Sequence, residues 1–596
     1  MQEHFMTELS YVFPIACVLL IALFFFGCPK LNTPELCNGD GRMTKRDILI
    51  LCLITLIYAA VAFVGLGDRQ APESFKHFSP GESGTVYFGE EKTLGGVRAY
   101  HGLNTGKYTL EYSADGESWA EFCEIEQDYT SLFKWKDYEI SETKASYIRI
   151  SADSDVYLGE LVFYDVAAEP IEGVFSESEP QLLRLFDEQG KNPDVISYRN
   201  STYFDEIYHA RTAFENIEGI YPYEVSHPPL GKLIIAIGIS LFGMTPFGWR
   251  FSGTLFGVLM LPVLYYFLKR MFKKTEVASC GTAIFAFDFM HYTQTRIATI
   301  DTYAVFFILL MYLFMYLYVS EGEKKHLALS GLFFGLGAAS KWTCLYAGAG
   351  LAVIWLISWI IRIKNGEEKV WVKFIKNCLF CIVFFVLVPG LIYYVSYYPY
   401  GRAQGMGGLT MFFSRDYAQT VLDNQQFMFR YHSGVHSEHP YSSRWYQWII
   451  NERPILYYLN YFDDGTRSSF GAFLNPVLCW AGLGAIGIMA YRAFACRDKK
   501  AGFILVGYLA QLLPWVFITR TTFEYHYFPS AVFLTLAIAY IFALIRENNR
   551  SWRGYIYGLT GMSVLLFAVF YPVLSGMRVN ASLASGLLKW LPSWPF

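Results

Sequence analysis

Long runs of apolar residues limit how this chain can fold more than any other feature of its sequence. Runs of roughly 17 to 25 apolar residues recur along the chain, and each is long enough to cross a hydrocarbon core of about 30 Å. Hydrophobic residues make up 54 % of the 596 residues, more than a soluble protein of this size uses. The sequence therefore predicts a polytopic α-helical membrane protein. We count about twelve spans, at approximately 10–27, 47–66, 248–270, 277–293, 298–320, 327–340, 343–361, 374–398, 470–492, 501–518, 526–546 and 554–575.

Basic residues divide the short loops between these spans into two alternating sets. One set is rich in Lys and Arg. The loops of the other set carry only Arg296, Lys341 and Arg520. Because cytoplasmic loops are enriched in Lys and Arg, both termini and two large loops, about 67–247 and 399–469, are predicted to lie outside the cytoplasm. We therefore expect a multi-pass protein of the cell membrane with an extracytoplasmic site. The basic loops include Arg42, Lys45 and Arg46; Lys269, Arg270, Lys273 and Lys274; Arg362, Lys364, Lys369 and Lys373; and Arg492, Arg497, Lys499 and Lys500.

The large loops and the spans define six predicted segments. Between about 72 and 168, short alternating stretches such as 109–113 and 147–151, with an Asp-Gly turn at 115–116, predict a β-sandwich inserted in an outer loop. Short apolar runs with proline breakers predict interfacial helices in the next part of that loop. The segments are 1–67 with two spans, 72–168 with the sandwich, 175–247 as the first catalytic outer loop, 248–398 as the transmembrane core, 399–469 as the second outer loop, and 470–596 with the last spans and an outer tail.

Charge and cysteine usage exclude several classes of protein. A net charge of −4 gives no reason to expect a nucleic-acid partner. Only Cys123 among the cysteines lies in the large outer loops, so no disulfide framework is predicted there. His432, His436 and His439 lack carboxylates or cysteines at zinc-binding spacing, so we predict neither a metal site nor a required cofactor.

Ionisable residues gather near the predicted outer ends of the spans, on the same side of the membrane as the acidic pair Asp205-Glu206. Charged groups at membrane depth are costly and mark functional sites. Snorkelling at a helix end explains any single one of them, but not the whole set. The set comprises Arg250, Asp288, His291, Arg296, Asp301, Lys341, Arg520, Glu524 and His526.

The two signs of charge suit two halves of one reaction. Arginine and lysine suit a phosphate, which arginine grips through two parallel hydrogen bonds. A carboxylate suits removal of a proton from an alcohol, since an unactivated hydroxyl is a poor nucleophile near neutral pH. The sequence thus predicts transfer from a phosphate-bearing lipid to a hydroxyl acceptor at the outer face.

Seven ordered motifs resemble the protein O-mannosyltransferase family, over about residues 190–575. The resemblance implies the C-type glycosyltransferase membrane fold and a dolichyl- or polyprenyl-phosphate-mannose donor. A second outer loop too short for the β-trefoil domain of eukaryotic members makes the chain similar to the bacterial form. The motifs are FDE (204–206), HPPLGK (227–232), WRFSG (249–253), RIATIDTY (296–303), SKW (340–342), HPYSSRW (439–445) and FEYHY (523–527).

The resemblance also implies roles for residues. Asp205 is the implied catalytic base, and Glu206 its partner in orienting acceptor or donor. Arg250 matches a family arginine associated with the donor phosphate, and Arg296, Lys341 and Arg520 are carried over with it. The other site candidates are His227, Asp301, His439, Arg444, Glu524 and His526.

Several alternatives stay open at this stage. The acceptor is a Ser or Thr hydroxyl of a protein, or a glycolipid or wall polymer, and a sugar or lipid transporter is the rival outside enzymes. His227 is either a site residue or a cap of the helix after Pro228-Pro229, and Asp301 either orients the site or pairs with Arg296. The β segment, through YTLEYSADGESW (108–119), YIRI (147–150) and GEL (159–161), resembles discoidin-type domains, which implies a glycan ligand; a spacer is the alternative.

Overall fold

The computed structural model describes residues 2–26, 40–171, 173–174, 180–434 and 438–596, with the side chains of 2–11 left out. The chain divides into two compact units: Met1–Val64, Gly219–Ile234 and Ser252–Phe596 form a helical unit, while Gly65–Glu218 and Ile235–Phe251 form a unit built on a β-sheet. The helices are α1 (Gln2–Phe26), α2 (Lys45–Phe63), α3 (Glu206–Glu218), α4 (Leu230–Phe242), α5 (Pro246–Phe272), α6 (Thr275–Ala286), α7 (Phe289–Thr295), α8 (Asp301–Glu321), α9 (Lys324–Ser340), α10 (Thr343–Lys364), α11 (Val370–Ile382), α12 (Val388–Ser396), α13 (Tyr398–Ala403), α14 (Arg415–Gly434), α15 (Trp445–Trp448), α16 (Gly482–Ala495), α17 (Lys499–Leu512), α18 (Phe528–Asn548), α19 (Arg553–Ser575) and α20 (Ala581–Leu587).

Eight helical stretches in the described chain are long and apolar enough to cross a membrane. This confirms a polytopic helical membrane protein but not the count of about twelve spans. Two of the other predicted spans, 327–340 and 501–518, correspond to the shorter α9 and α17. The eight stretches are Lys45–Phe63, Pro246–Phe272, Asp301–Glu321, Thr343–Lys364, Val370–Ala403, Val477–Ala495, Glu524–Asn548 and Arg550–Ser575.

Two span predictions are wrong in detail. The span predicted at 277–293 is two helices, because α6 ends at Ala286 and Asp288 caps α7 by accepting a hydrogen bond from the backbone N–H of His291 at 2.9 Å. The span predicted from 470 begins at Val477, since residues up to Ala472 belong to a strand. In both places a polar cap or a backbone ladder overrides an apolar run.

α18 is the central helix of the helical unit. Every residue from Phe528 to Ile545 is buried, which suits a helix that is apolar on all sides. α8 is buried over most of its length as well, whereas most of the side chains of α11 and α12 are at least partly exposed. α8 and α18 thus form the core of the helical unit.

Six strands form the sheet of the other unit, and this confirms the predicted β region. All neighbours are antiparallel, in the order β1-β6-β2-β5-β3-β4. Leu110 lies opposite Ile150 and Tyr112 opposite Ile148, so alternate residues of the predicted strands share one apolar core. The strands are β1 (Lys76–Phe78), β2 (Ser83–His101), β3 (Gly106–Ser113), β4 (Ala120–Gln127), β5 (Trp135–Ala152) and β6 (Val156–Tyr164).

The hydrogen bonding of this sheet differs from two separate layers of a sandwich. β2 and β5 are long and pair continuously apart from register shifts between Tyr87 and Lys92 and between Leu94 and Gly96. Such bulges bend a strand and increase its twist, so one sheet can enclose its own core. The resemblance to discoidin-type domains, and with it a glycan ligand, stays a prediction.

A second sheet lies in the helical unit, mostly within the segment predicted as the second outer loop. β7 (Ile455–Tyr461) and β8 (Thr466–Ala472) form an antiparallel hairpin, and β9 (Val579–Asn580) pairs with the start of β8. The third strand comes from beyond the last span, more than 100 positions along the chain. Short-range patterns do not reveal such a pairing.

Candidate active site

The acidic pair lies at the beginning of α3. Phe204 has a φ of +47°, and this left-handed turn is followed directly by the first residues of the helix. The backbone N–H groups of Tyr208 and His209 both donate to the carbonyl of Asp205 at 3.1 Å. The side chain of Glu206 is fully buried, while Asp205 is partly exposed. The two adjacent carboxylates therefore have different environments.

Glu206 forms a two-pronged ion pair with Arg250. Arg250 Nε donates to Glu206 Oε1 and Nη2 donates to Oε2, each at 2.7 Å. Nη1 donates to the carbonyl of Leu66 at 2.9 Å, and Nη2 also donates to that of Ser201 at 3.0 Å. Both side chains of the pair have zero exposure. The charge of Arg250 is therefore already balanced, and all three of its nitrogens are engaged within its own unit.

Lys341 is engaged in a similar way in the helical unit. Its Nζ donates to both carboxylate oxygens of Asp301, at 2.8 and 2.7 Å. Asp301 begins α8 and Lys341 follows α9, so the pair ties the ends of two helices together. The predicted pairing of Asp301 with Arg296 is wrong, because packing of α8 against α9 brings Lys341 to the carboxylate instead.

Arg296 and Arg520 are not balanced by a carboxylate in the part of the chain that the structure describes. Arg296 donates only to neutral acceptors, from Nη1 to the Tyr292 hydroxyl at 2.6 Å and from Nη2 to the Val64 carbonyl at 2.8 Å. Arg520 donates to the carbonyl of Thr521 at 3.2 Å. Within the described residues, neither guanidinium has a carboxylate partner. These two cations are therefore the ones of the predicted phosphate-binding set that can still balance an anion.

His227 lies in a small polar network with Glu224. Glu224 Oε1 is 3.1 Å from His227 Nδ1, and Glu224 Oε2 accepts from the fully buried Lys232 Nζ at 2.6 Å. Lys232 also donates to the carbonyl of His227 at 3.0 Å. Glu224 and Lys232 were not among the sequence candidates, although Lys232 belongs to the HPPLGK motif. Its burial against a carboxylate cannot be read from the local pattern.

His432, on α14, is next to this network. Its Nε2 donates to the carbonyl of Ser226 at 2.8 Å, and its ring lies 5.1 Å from that of His227. Burial, together with the nearby His227, Arg520 and Lys341, lowers the pKa of His432 to about 4. Burial likewise lowers the pKa of His227, against the attraction of Glu224. Both imidazoles are therefore neutral near pH 7.

The remaining candidates gather around the turn before α18. The ring of His526 lies 4.4 Å from those of Trp515 and Tyr525, and Lys341 Nζ lies 5.6 Å above the Tyr525 ring. Both carboxylate oxygens of the fully buried Glu524 are without a hydrogen-bond partner in the part of the chain that the structure describes. These aromatic rings and Lys341 therefore lie in one region of the helical unit.

Arg444 and His439 belong to the segment before α15. Arg444 precedes this helix, and its Nη1 donates to the carbonyl of Thr519 at 3.0 Å. Residues of this segment and of 519–522 line a polar cavity of about 580 Å³. His439 accepts a hydrogen bond from the backbone N–H of Tyr441, and burial lowers its pKa. The structure therefore brings Arg444 and His439 against the segment 519–523, which contains Arg520.

The histidines considered for zinc do not form a metal-type cluster in the described chain. His436 lies outside the described residues. Among the residues that are described, the one group of three potential ligands is Glu160, Asp187 and Glu188 in the β unit. That group contains no histidine and no candidate of the sequence analysis.

Two family models match most of the helical unit. The C-terminal four-transmembrane region of protein O-mannosyltransferases matches residues 417–594, and the dolichyl-phosphate-mannose-protein mannosyltransferase model matches residues 226–393. Together they cover more than half of the chain. The chain belongs to the protein O-mannosyltransferase family. The family resemblance seen in the ordered motifs is thereby confirmed.

Bacterial relatives extend this similarity beyond the matched regions. This chain is 26 % identical over 423 residues to the polyprenol-phosphate-mannose–protein mannosyltransferase of Mycolicibacterium smegmatis. The similarity covers 62 % of this chain and 82 % of that protein. The chain is 25 % identical over 454 residues to the protein of the same name from Mycobacterium tuberculosis, covering 66 % and 86 %. Most of the length of each relative is therefore represented.

A solved structure shows the fold of this transferase. The S. cerevisiae protein O-mannosyltransferase Pmt1–Pmt2 complex bound to the sugar donor matches with a TM-score of 0.58 and 14 % identity, over 66 % of this chain and 89 % of that chain. The predicted C-type glycosyltransferase fold is confirmed. At this identity the likeness concerns the fold alone.

Proposed function

We propose that this protein transfers a mannosyl group from a polyprenyl-phosphate-linked donor to Ser or Thr hydroxyls of proteins at the extracytoplasmic face of the cell membrane. Family membership and the names of the bacterial relatives support the donor and the acceptor class. The alternation of basic loops supports the extracytoplasmic site, with both termini on the same side. The difference in environment between Asp205 and Glu206 is the observation that carries the mechanism.

Asp205 is the proposed catalytic base. Glu206 is fully buried, and both of its oxygens accept hydrogen bonds from Arg250, so they are not open to an acceptor hydroxyl. Asp205 is partly exposed at the beginning of α3 and is accessible to an acceptor hydroxyl. Glu206 and Arg250 instead fix the turn that presents Asp205.

The transfer proceeds in one displacement. Asp205 takes the proton of the hydroxyl as its oxygen bonds to the anomeric carbon, and the bond from that carbon to the phosphate oxygen breaks. Polyprenyl phosphate leaves with the electron pair, and the configuration of the sugar is inverted. Arg296 and Arg520 have no carboxylate partner among the described residues, so we assign them to the phosphate, where cations stabilise the developing negative charge.

The test is transfer by the purified full-length protein in liposomes with labelled polyprenyl-phosphate-mannose and a peptide rich in Ser and Thr. Asp205→Asn is expected to lower the rate at least about 100-fold, the usual contribution of a positioned base. Glu218→Gln, an exposed acid at the end of the same helix, is the matched control and should retain the wild-type rate. An Asp205→Asn variant with undiminished transfer would show that another group is the base.

The same assay separates the proposed acceptor from its rival. Mass spectrometry of the products shows whether the sugar is attached to peptide or to lipid when both kinds of acceptor are present. Sugar found only on a glycolipid or wall polymer would refute protein as the acceptor. Movement of sugar across the liposome membrane without consumption of the donor would instead support a transporter.

A further inference from the structure

Arg467, in the middle strand of the second sheet, has no counter-charge within the described chain. Its side chain is buried, with 5 % of the residue exposed. Its Nε and Nη2 have no hydrogen-bond partner among the described residues, and no carboxylate there lies within ion-pair distance. By contrast, Arg578, just before β9, is half-exposed and pairs with Asp464 at 2.8 Å. The unsatisfied arginine is thus the buried one.

A buried guanidinium in this state indicates a ligand. Arginine stays protonated at every relevant pH, so burial cannot be relieved by loss of the proton. Burying a charge without a counter-charge and without hydrogen bonds is strongly unfavourable. An anion with several acceptor oxygens would satisfy both nitrogens and supply the missing counter-charge.

Ser469 provides a second donor on the same face of the strand. Successive side chains of a strand alternate between its faces, so Arg467 and Ser469 share a face and Ser468 points the other way. The hydroxyl of Ser469 is buried and has no partner among the described residues, whereas Ser468 donates to the carbonyl of Gly576 at 2.5 Å. Among the described residues, the unused donors of these three side chains therefore lie on the face of Arg467.

α7 adds a second cation beside the sheet. It contacts β8, and the Tyr457 hydroxyl of the neighbouring strand bonds to Gln294 near the end of this helix. Arg296, which ends α7, also has an Nε without a partner in the described chain, and its other nitrogens meet neutral acceptors. Two adjoining elements therefore each carry a buried arginine with unused N–H groups.

We propose that Arg467 and Ser469 bind the phosphate group of the lipid-linked sugar donor and of the polyprenyl phosphate that is released. A phosphate offers the negative charge and the several oxygens that these donors lack, and arginine recognises it through paired hydrogen bonds. The inference rests on the proposed function, because the donor of that reaction is the molecule that brings a phosphate. Arg467 then joins the cations that stabilise the leaving group, in place of Arg250 and Lys341, whose charges Glu206 and Asp301 already balance.

Binding of radiolabelled polyprenyl phosphate to the purified full-length protein in nanodiscs tests the proposal. Arg467→Gln is expected to weaken binding about 10-fold or more, the usual effect of losing a charge-assisted hydrogen bond, and Ser469→Ala about 2- to 10-fold. Arg578→Gln and Ser468→Ala are the controls on the same sheet and should bind as the wild type does. Polyprenol, which lacks the phosphate, should not distinguish any of these variants from the wild type.

The Ser469→Ala variant keeps the test decisive if Arg467→Gln fails to fold, since it removes a hydroxyl that has no partner to lose. Unchanged polyprenyl-phosphate binding by Ser469→Ala, or by folded Arg467→Gln, would overturn the proposal. Equal competition by phosphatidylglycerol or by inorganic phosphate would overturn the assignment to the donor, and would point to a lipid headgroup or a free-phosphate site respectively. A wild-type protein that binds polyprenyl phosphate through Arg467 but transfers no mannose would refute the proposed function and leave this inference standing.

Discussion

Replacing Glu206 by Gln is expected to destabilise the protein strongly, because it leaves the charge of Arg250 buried without its counter-charge. The side chains of both residues have zero exposure, and two hydrogen bonds of 2.7 Å join them. Removal of one partner from such a pair costs about 3–5 kcal/mol. The carbonyls of Leu66 and Ser201 remain as acceptors, yet they carry no net charge to replace the carboxylate.

A double-mutant cycle measures this coupling. Glu206→Leu and Arg250→Met are expected to lower the thermal midpoint of the purified protein by several degrees each. The double variant Glu206→Leu/Arg250→Met should lower it by much less than the sum, since a buried pair replaced by apolar side chains leaves no unpaired charge. Loss of the monodisperse peak on size-exclusion chromatography after heating provides the midpoint. Asp205→Asn is the control, because Asp205 is partly exposed.

Additive effects of the two single substitutions would refute the reasoning, and so would a midpoint for Glu206→Gln equal to that of the wild type. Either result would mean that the pair does not hold the turn before α3. Transfer by the folded fraction of Glu206→Gln should then be compared with that of Asp205→Asn. We expect the residual rate to be higher for Glu206→Gln, since Glu206 positions the turn and Asp205 takes the proton.

Two further predictions concern charges elsewhere in the chain. Arg520→Gln should raise the KM for the lipid-linked donor by about 10-fold or more. Lys341→Gln should instead lower the thermal midpoint and have a smaller effect on KM, because Asp301 already balances Lys341. Equal effects of the two substitutions on KM would contradict this difference in roles. Burial raises the pKa of Glu160 from its ordinary 4.5 to about 8, so the folded state holds a proton that the unfolded state releases, and the unfolding free energy should fall as the pH rises from about 4.5 to 8. Thermal midpoints measured across this range should fall less for Glu160→Gln, and parallel curves for the two proteins would contradict the assignment.

The sequence motifs identified the catalytic candidates but not their environments. FDE and HPPLGK led to Asp205, Glu206 and His227, and the structure places Asp205 and Glu206 at the beginning of one helix. Motif order did not separate a carboxylate engaged by arginine from one that is partly exposed. That difference depends on burial, which residue identity alone does not specify.

The amino-acid sequence by itself determined the class of this protein: a polytopic membrane protein of the mannosyltransferase family with an all-β insertion. Apolar length, strand alternation and ordered motifs are local patterns, so they can be read without a fold. Only the tertiary structure decided which charges balance one another, since Glu206 and Arg250 are 44 positions apart and Asp301 and Lys341 are 40 apart. It also placed Arg467 in the middle of a three-stranded sheet. Partners at such distances are chosen by helix and strand packing, and that packing leaves some cations neutralised and others able to bind an anion.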